Sequence, residues 1–432
     1  MKKIILIICI CYTNIVFSCN APLLQDGIVY VGSGPKPNGL QPEVTTIQEA
    51  VDLVQDCEFL ISTFTVPSGV TLEVTNGSNT IINNNAITLP WVGGSEEITP
   101  SDLIRIDNTG NWYEVESVTE NTIVTTRPIE MISGSYEYST SITPSVQLFT
   151  RVTGIGQPVY IENIDLKDVH FIEIRPEADS GFAMLTSKSN VKIKSINAPS
   201  YGHLRLVRLE LTGKSTGGMY LGNPLDVATA DNPHDIDLTL ESMHVISTRG
   251  FDGIKSNYHG NIRITNSEFY SLNDVIFLPY TNSYLPPRST IIDNSSFVTG
   301  GGSIQTHKII TMAGRDNGLY KINDSLISSS TKLSMQEGKA VQFTSSDASS
   351  LEISNSRIIC TGCNGSNAAS VIADGLGTSI VIDNIELSTS PNDCAFLTRN
   401  NSSIIISNSS IARNELGEIV TCGDGTGSVT VN

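Results

Sequence analysis

IRITNSEF at 262 to 269, TIIDNSSF at 290 to 297, LYKINDSLI at 319 to 327, LEISNSRI at 351 to 358, IVIDNIEL at 380 to 387 and IIISNSSI at 404 to 411 are six versions of one phrase. Aligned on the apolar residue two places before the Asn or Asp, Ile264, Ile292, Ile322, Ile353, Ile382 and Ile406 are separated by 28, 30, 31, 29 and 24 residues. Within each phrase apolar residues alternate, the period of a strand with one buried face. A strand that returns at an interval of this size marks a solenoid. The expected fold is all-β: a right-handed single-stranded parallel β-helix in which each phrase forms one face of a coil and pairs with the coils above and below.

The residue that closes each phrase is Asn266, Asn294, Asp324, Asn355, Asn384 or Asn408. At a sharp corner a short amide tolerates the left-handed conformation better than most side chains do. Stacked one coil apart, about 4.8 Å, such amides can hydrogen-bond to one another. The expectation is an internal ladder that satisfies a polar corner inside an apolar stack. The other reading of the same row is a line of sugar-binding amides.

The chain has 432 residues, more than one ordinary core accommodates, but a solenoid grows by adding coils. Its formal net charge of -18 argues against nucleic acid and anionic membrane as partners, since both need a basic patch. Cations or neutral glycans fit better. At the N-terminus MKK supplies a positive end, IILIICICYTNIVF an apolar run and VFSC a processing site, with Val16 at minus three, Ser18 at minus one and Cys19 as acceptor. This resembles a bacterial lipoprotein signal over residues 1–19, which implies lipidation at Cys19 and contact with membrane only through that lipid. Ordinary secretory cleavage stays open beside it.

Beyond the signal the cysteines are Cys57, Cys360, Cys363, Cys394 and Cys422. Intervals of 31 from Cys363 to Cys394 and 28 from Cys394 to Cys422 match the coil period, so neighbouring coils could bring them together. The CTGC segment could instead close on itself. No second CxxC and no nearby His completes a zinc site, so no metal is expected there.

Residues 20–42 are rich in Pro and Gly and read as a tether. In TTIQEAVDLVQ at 45 to 55, Ile47, Ala50, Val51 and Val54 have helical spacing, and Thr46 with Glu49 can form a capping box. A β-helix exposes unpaired backbone at its first coil, and this helix is the expected lid. The phrase ISTFTVPSGVTLEV at 61 to 74 resembles the opening rung of pectate-lyase-like and phage tail-spike β-helices, which implies a cap and first coil over residues 43–87. From 88 to 140 the alternation is interrupted by tight Asn-containing turns, and the segment reads as a small antiparallel barrel or hairpin insertion. Trp91, Trp112 and Tyr113 fall there, placed either to stack on a sugar or to fill the insertion's own core. Coils are expected over 141–432.

In TRGFDGIKSNYHGNIRITNSEFYSLNDVIF, Asp252 sits in a Phe-Asp-Gly turn, and Asn273 with Asp274 follow 21 and 22 residues later. The pattern resembles the polygalacturonase family of inverting glycoside hydrolases, whose Asn-Thr-Asp-Gly and Gly-Asp-Asp motifs lie on successive coils of the same fold. The resemblance implies Asp252 and Asp274 as catalytic, water-activating acids. Asn273 stands where that family carries its proton-donating Asp, and an amide cannot fill that role. Hydrolysis needs one protonated carboxyl for the leaving oxygen and one carboxylate for water, a division that two neighbouring Asp can reach by raising each other's pKa.

Around this pair Arg249, Lys255, Tyr258, His259, Tyr280, Tyr284 and Arg288 concentrate cationic and aromatic groups suited to gripping a sugar or a uronate, with Asn273 beside them. Asp-Gly and Asn-Asp are also ordinary turn dipeptides. A lyase on this fold would add a Lys or Arg base, often with calcium, and His307 and Lys308 are available, but no acidic cluster faces them by register. No cofactor is expected, and calcium is the ion left open. The chain ends in SVTVN within a rung, and an uncovered coil invites pairing between molecules, as in a homotrimer of tail-spike type. Three classes stay open: an exported protein that recognises extracellular polysaccharide, a glycosidase, and a viral or cell-surface attachment protein without catalysis.

Overall fold

The structure is a computed structural model that describes residues 28–31, 44, 46–58, 64–65, 71–82, 103–106, 112–119, 121–125, 129, 133–141, 145–148, 159–166, 171–176, 191–197, 201–211, 215–216, 219–220, 225–226, 235–247, 254–255, 260–271, 274–278, 289–299, 308–315, 318–329, 338–345, 348–361, 363 and 368–432. The chain divides into two compact units, one of residues 1–154 with 168–184 and one of residues 155–167 with 185–432.

In the first unit the strands Ile28–Val31, Ser145–Leu148 and Phe171–Pro176 run parallel in register, and the helix Ile47–Glu58 packs on the first two. The helix begins at the expected capping box. Glu49 N–H donates to Thr46 Oγ1 and Thr46 N–H donates to Glu49 Oε2, both at 3.2 Å. A second element of this unit is an antiparallel ring formed by Gly134–Ser141, Thr71–Val74, Thr80–Ile82, Thr122–Thr125, Trp112–Val118 and Leu103–Ile106, the last strand pairing back to the first. Closure leaves no free edge along the ring. Leu72, Val74, Ile81, Ile104, Ile106, Tyr113, Val115, Ile123 and Ile129 fill its interior.

This ring corrects one boundary. Residues 61–74 were expected to open the stack as a first coil, yet Thr71–Val74 pairs antiparallel with Gly134–Ser141 and Phe64–Thr65 joins the same strand. An alternating strand reads alike in either setting, and its partner decides between them. Tyr113 is fully buried in the ring and presents no face to a ligand, while Trp91 and the side chain of Trp112 lie outside the described residues.

The second unit is the expected parallel β-helix. Each coil carries up to three strands, exemplified by Leu319–Asn323, Leu326–Ser329 and Lys339–Ser345, and each strand pairs parallel with its counterpart in the next coil. Ile264, Ile292, Ile322, Ile353, Ile382 and Ile406 are consecutive partners in this register and form one buried column. Phe269 and Phe297 stack inside the next face with ring centroids 5.1 Å apart. Tyr320 is also interior, its hydroxyl accepting the Arg315 N–H at 2.9 Å, and burial pushes its pKa up to about 12.

All six corner residues have positive φ, from 43° at Asn294 to 53° at Asn384, and Arg208 and Ser242 hold the same place on earlier coils. The ladder exists, but it faces solvent. Asn294 Nδ2 donates to Asn266 Oδ1 at 2.7 Å, and Asn384 Nδ2 donates to Asn355 Oδ1 at 2.8 Å, with all six corner side chains exposed. What is buried is the residue after the corner. Ser267, Ser295, Ser325 and Ser356 accept hydrogen bonds from the backbone N–H of Met243, Ser267, Ser295 and Ser325, one coil earlier, at 3.0 to 3.2 Å. Each hydroxyl donates to the carbonyl two residues before it, at 2.6 to 2.7 Å. Ile385 interrupts this serine column, and Ser409 resumes it by accepting the Ile385 N–H at 3.1 Å. The expectation of an internal amide ladder is thus corrected: the left-handed residue turns its side chain outward and the next turns inward.

Two disulfides close within this unit: Cys360 with Cys363, and Cys394 with Cys422, whose Cα atoms are 6.0 Å apart. The second joins successive coils, since Leu397 and Cys422 are register partners. Among the described residues no helix is long and apolar enough to cross a membrane.

Two outcomes follow from these columns. Ser325→Ala removes the acceptor of the buried Ser295 N–H, which costs about 1 to 3 kcal/mol. Hydrogen exchange at the Ser295 amide should therefore quicken by about tenfold or more, at about 1.4 kcal/mol per decade, and unchanged exchange would contradict the serine column. The Cys394→Ser/Cys422→Ser double variant opens a cross-link of 28 residues. By chain entropy that lowers the stability of the coils it joins by about 3 to 4 kcal/mol, read as a lower thermal midpoint and faster proteolysis after residue 390.

Candidate functional site

Of the residues singled out around the acidic pair, Asp252, Asn273, Arg249, Tyr258, His259, Tyr280, Tyr284 and Arg288 lie outside the described residues, as does Cys19. Lys255 belongs to the strand Ile254–Lys255, which pairs with Ile276–Leu278, but its side chain is likewise outside. Asp274 is described. It is buried at 7% exposure just before Ile276–Leu278, and its Oδ1 accepts the backbone N–H of Lys308 from the next coil at 2.7 Å. A carboxylate in that position ties one coil to the next. Phe269, in the same stretch, is core, whereas Tyr270 points outward at 37% exposure.

The described residues form a different concave feature at the corner itself. Where the first strand of each coil turns into the second, an open groove of about 770 Å³ runs along the stack. It repeats the same positions on four consecutive coils: Asp324 with Leu326, Asn355 with Arg357, Asn384 with Glu386, and Asn408 with Ser410. The buried Ser325, Ser356 and Ile385 lie between these pairs and form the floor. The left-handed corner creates this arrangement, because it sends residues on either side of the inward one out to the same surface.

Hydrogen bonds order the wall. Asn355 Nδ2 donates to Asn323 Oδ1 at 2.9 Å rather than to Asp324, whose Oδ2 accepts from Asn323 Nδ2 at 2.7 Å. Asn408 Nδ2 donates to Asp383 Oδ1 at 2.8 Å, and the Ser407 hydroxyl donates to the same oxygen at 2.7 Å. These two donors, Ser407 first, hold the Asp383 carboxyl below its ordinary pKa, so it is ionised at neutral pH. Each amide has two N–H groups and a carbonyl with two lone pairs. Among the described residues nothing donates to Asn384 Oδ1 or Asn408 Oδ1, so both of these groove-lining amides keep acceptor capacity to spare.

Arg357 and Glu386 make a two-pronged ion pair across adjacent coils, Nε to Oε2 at 3.1 Å and Nη2 to Oε1 at 3.2 Å, both side chains about half exposed. An exposed pair of this kind adds little stability. Its effect is to fix two long side chains along one wall. No group of three or more His, Cys, Asp or Glu side chains able to hold a metal ion occurs among the described residues.

Sequence reasoning had the corner amides in hand as a row that could bind sugar, and missed the column two residues on. The signal for it was Glu268, Ser296, Leu326, Arg357, Glu386 and Ser410, each the second residue after a left-handed corner.

No protein-family model matches the chain, and no curated protein matches it. Among solved structures, the tailspike gp61 of Pseudomonas phage phi297 is similar to it at 10% identity and a TM-score of 0.33, covering 81% of this chain. The chain spans 63% of that tailspike's length, and a likeness of this degree says nothing of chemistry.

A substitution separates the two roles open to Asp274. Asp274→Asn keeps an oxygen for the Lys308 N–H, whereas Asp274→Ala leaves that amide without its acceptor, at a cost of about 1 to 3 kcal/mol. Hydrogen exchange at Lys308 should quicken in the Ala variant and stay near wild type in the Asn variant. Equal exchange in all three proteins would take away the structural role.

Proposed function

We propose that this protein is an exported surface β-helix that recognises extracellular polysaccharide along its corner groove. The observation that carries this reading is the groove: exposed amides repeated at one-coil intervals over a rigid floor, with unused acceptors facing solvent. Amides bind without exchanging protons, and a hydroxyl-rich chain needs donors and acceptors side by side. The paired cysteines support an oxidising compartment, which agrees with export and, in this reading, with a lipid on Cys19 as the only tie to a membrane.

Glycoside hydrolysis by Asp252 and Asp274 is the less supported alternative, because the Asp274 carboxylate is buried and already accepts a backbone hydrogen bond. Recognition without turnover suits a surface-displayed binder and an attachment protein equally well.

The test is binding of the full chain to a panel of immobilised polysaccharides, alongside an Asn355→Gly/Asn384→Gly variant. Glycine accepts the positive φ of both corners, so the coil is kept and only the amides are lost. Binding to at least one polysaccharide is expected in the native chain. With one or two hydrogen bonds lost per amide, affinity in the variant should fall by about tenfold or more. A variant that binds as well as the native chain would move the site elsewhere.

A further inference from the structure

The geometry points to a neutral, extended, β-linked polysaccharide lying parallel to the stacking axis, with one sugar to each coil. This rests on the reading of the groove as a glycan site and adds the class of glycan. Three properties of the lining carry it.

The first is repeat length. Corner and second-after-corner residues recur on four consecutive coils, from Asp324 and Leu326 to Asn408 and Ser410. Strands of successive coils lie about 4.8 Å apart, and an extended β-linked chain advances by closely the same length per sugar. Each ring then meets the corner and second-after-corner positions of one coil, with the face it presents alternating from ring to ring. A chain that coils leaves the line of the groove within a few sugars and loses that spacing.

The second is polarity. The spare acceptors at Asn384 and Asn408, with the second N–H of each amide, offer a ring at each of those two coils one donor and one acceptor, while Asn355 keeps one N–H and Asp324 offers acceptors only. Leu326 offers apolar surface to the C–H side of a ring at the first of the four coils. The third is charge. Asp324 and Glu386 oppose only Arg357 among the lining residues, and Arg357 is already held by Glu386. Ionised Asp383 lies directly behind Asn408. A uronate or sulfated chain would meet an excess of carboxylates on a protein of net charge -18. The groove therefore selects against the acidic glycans that the polygalacturonase resemblance implied.

The experiment is calorimetric titration of the full chain with cello-, xylo- and manno-oligosaccharides from disaccharide to octasaccharide. Malto-oligosaccharides supply a coiling series and oligogalacturonates an anionic one. In at least one extended series affinity should rise about threefold to tenfold with each sugar and level off beyond the tetrasaccharide, where the lined coils end. The coiling and anionic series should bind at least about tenfold more weakly. A flat dependence on length, or preference for either of those two series, overturns the inference. If polysaccharide binding is still lost in Asn355→Gly/Asn384→Gly while the length series is flat, only the one-sugar-per-coil inference falls. If that variant binds like the native chain, or no glycan binds at all, the reading of the groove falls with it.

Discussion

Backbone hydrogen bonding between coils is the constraint from which the second unit follows. A strand of one coil has no partner within its own coil, so its N–H and C=O groups are satisfied only by the coils on either side. That requirement holds register to the residue, because a slip of one position would turn Ile322 and its stacked neighbours outward and bring their polar neighbours in. The corner must then be identical in every coil. One residue in the left-handed region gives the bend, and Asn or Asp supplies it at small cost from coil to coil.

The corner also shows how a polar group is kept inside an apolar stack. The N–H after each bend points along the axis, where no strand pairing reaches it, and the serine hydroxyl of the next coil accepts it while donating to its own chain. An apolar residue at that place can fill the volume but cannot accept, which is what Ile385 does in one coil. Serine therefore follows Asn or Asp in five of the six phrases because of the inner column, not because of solvent. The amides outside are left to one another.

How much of this could be read from sequence differs by level. The period of Ile264 through Ile406 was sufficient for the coil, its register and its buried face, since alternation and spacing are properties of the chain itself. The positive φ of Asn294 or Asn408 followed from side-chain preference. The direction of those amides did not, because inward and outward are decided by which residue takes the left-handed bend, a single-position matter that alternation on either side leaves undetermined. The ring of the first unit was recognised as antiparallel, but its extent was not, because Thr71–Val74 carries the same alternation as a coil strand. The groove was half visible. Its amide wall belonged to the repeat, while Leu326, Arg357 and Glu386 vary from coil to coil and became a wall only once the coils were stacked.

For the glycan-binding role proposed above, that variation is what would turn a structural repeat into a surface able to discriminate. The corner amides are fixed by the need for a left-handed residue, so their side chains face solvent as a regular array whatever else the protein does. Regularity alone would favour any hydroxyl-rich chain of the right pitch. The second column is free of the conformational demand, and there the residues differ: apolar at Leu326, a bidentate ion pair at Arg357 and Glu386, a hydroxyl at Ser410. Individual contacts of this kind are weak in water, since each replaces a hydrogen bond already made to solvent. Several made at once by a scaffold that loses no entropy on binding add up, which is the general benefit of preorganisation. In the proposed reading, a rigid stack would draw periodic affinity from the bend and specificity from the positions beside it.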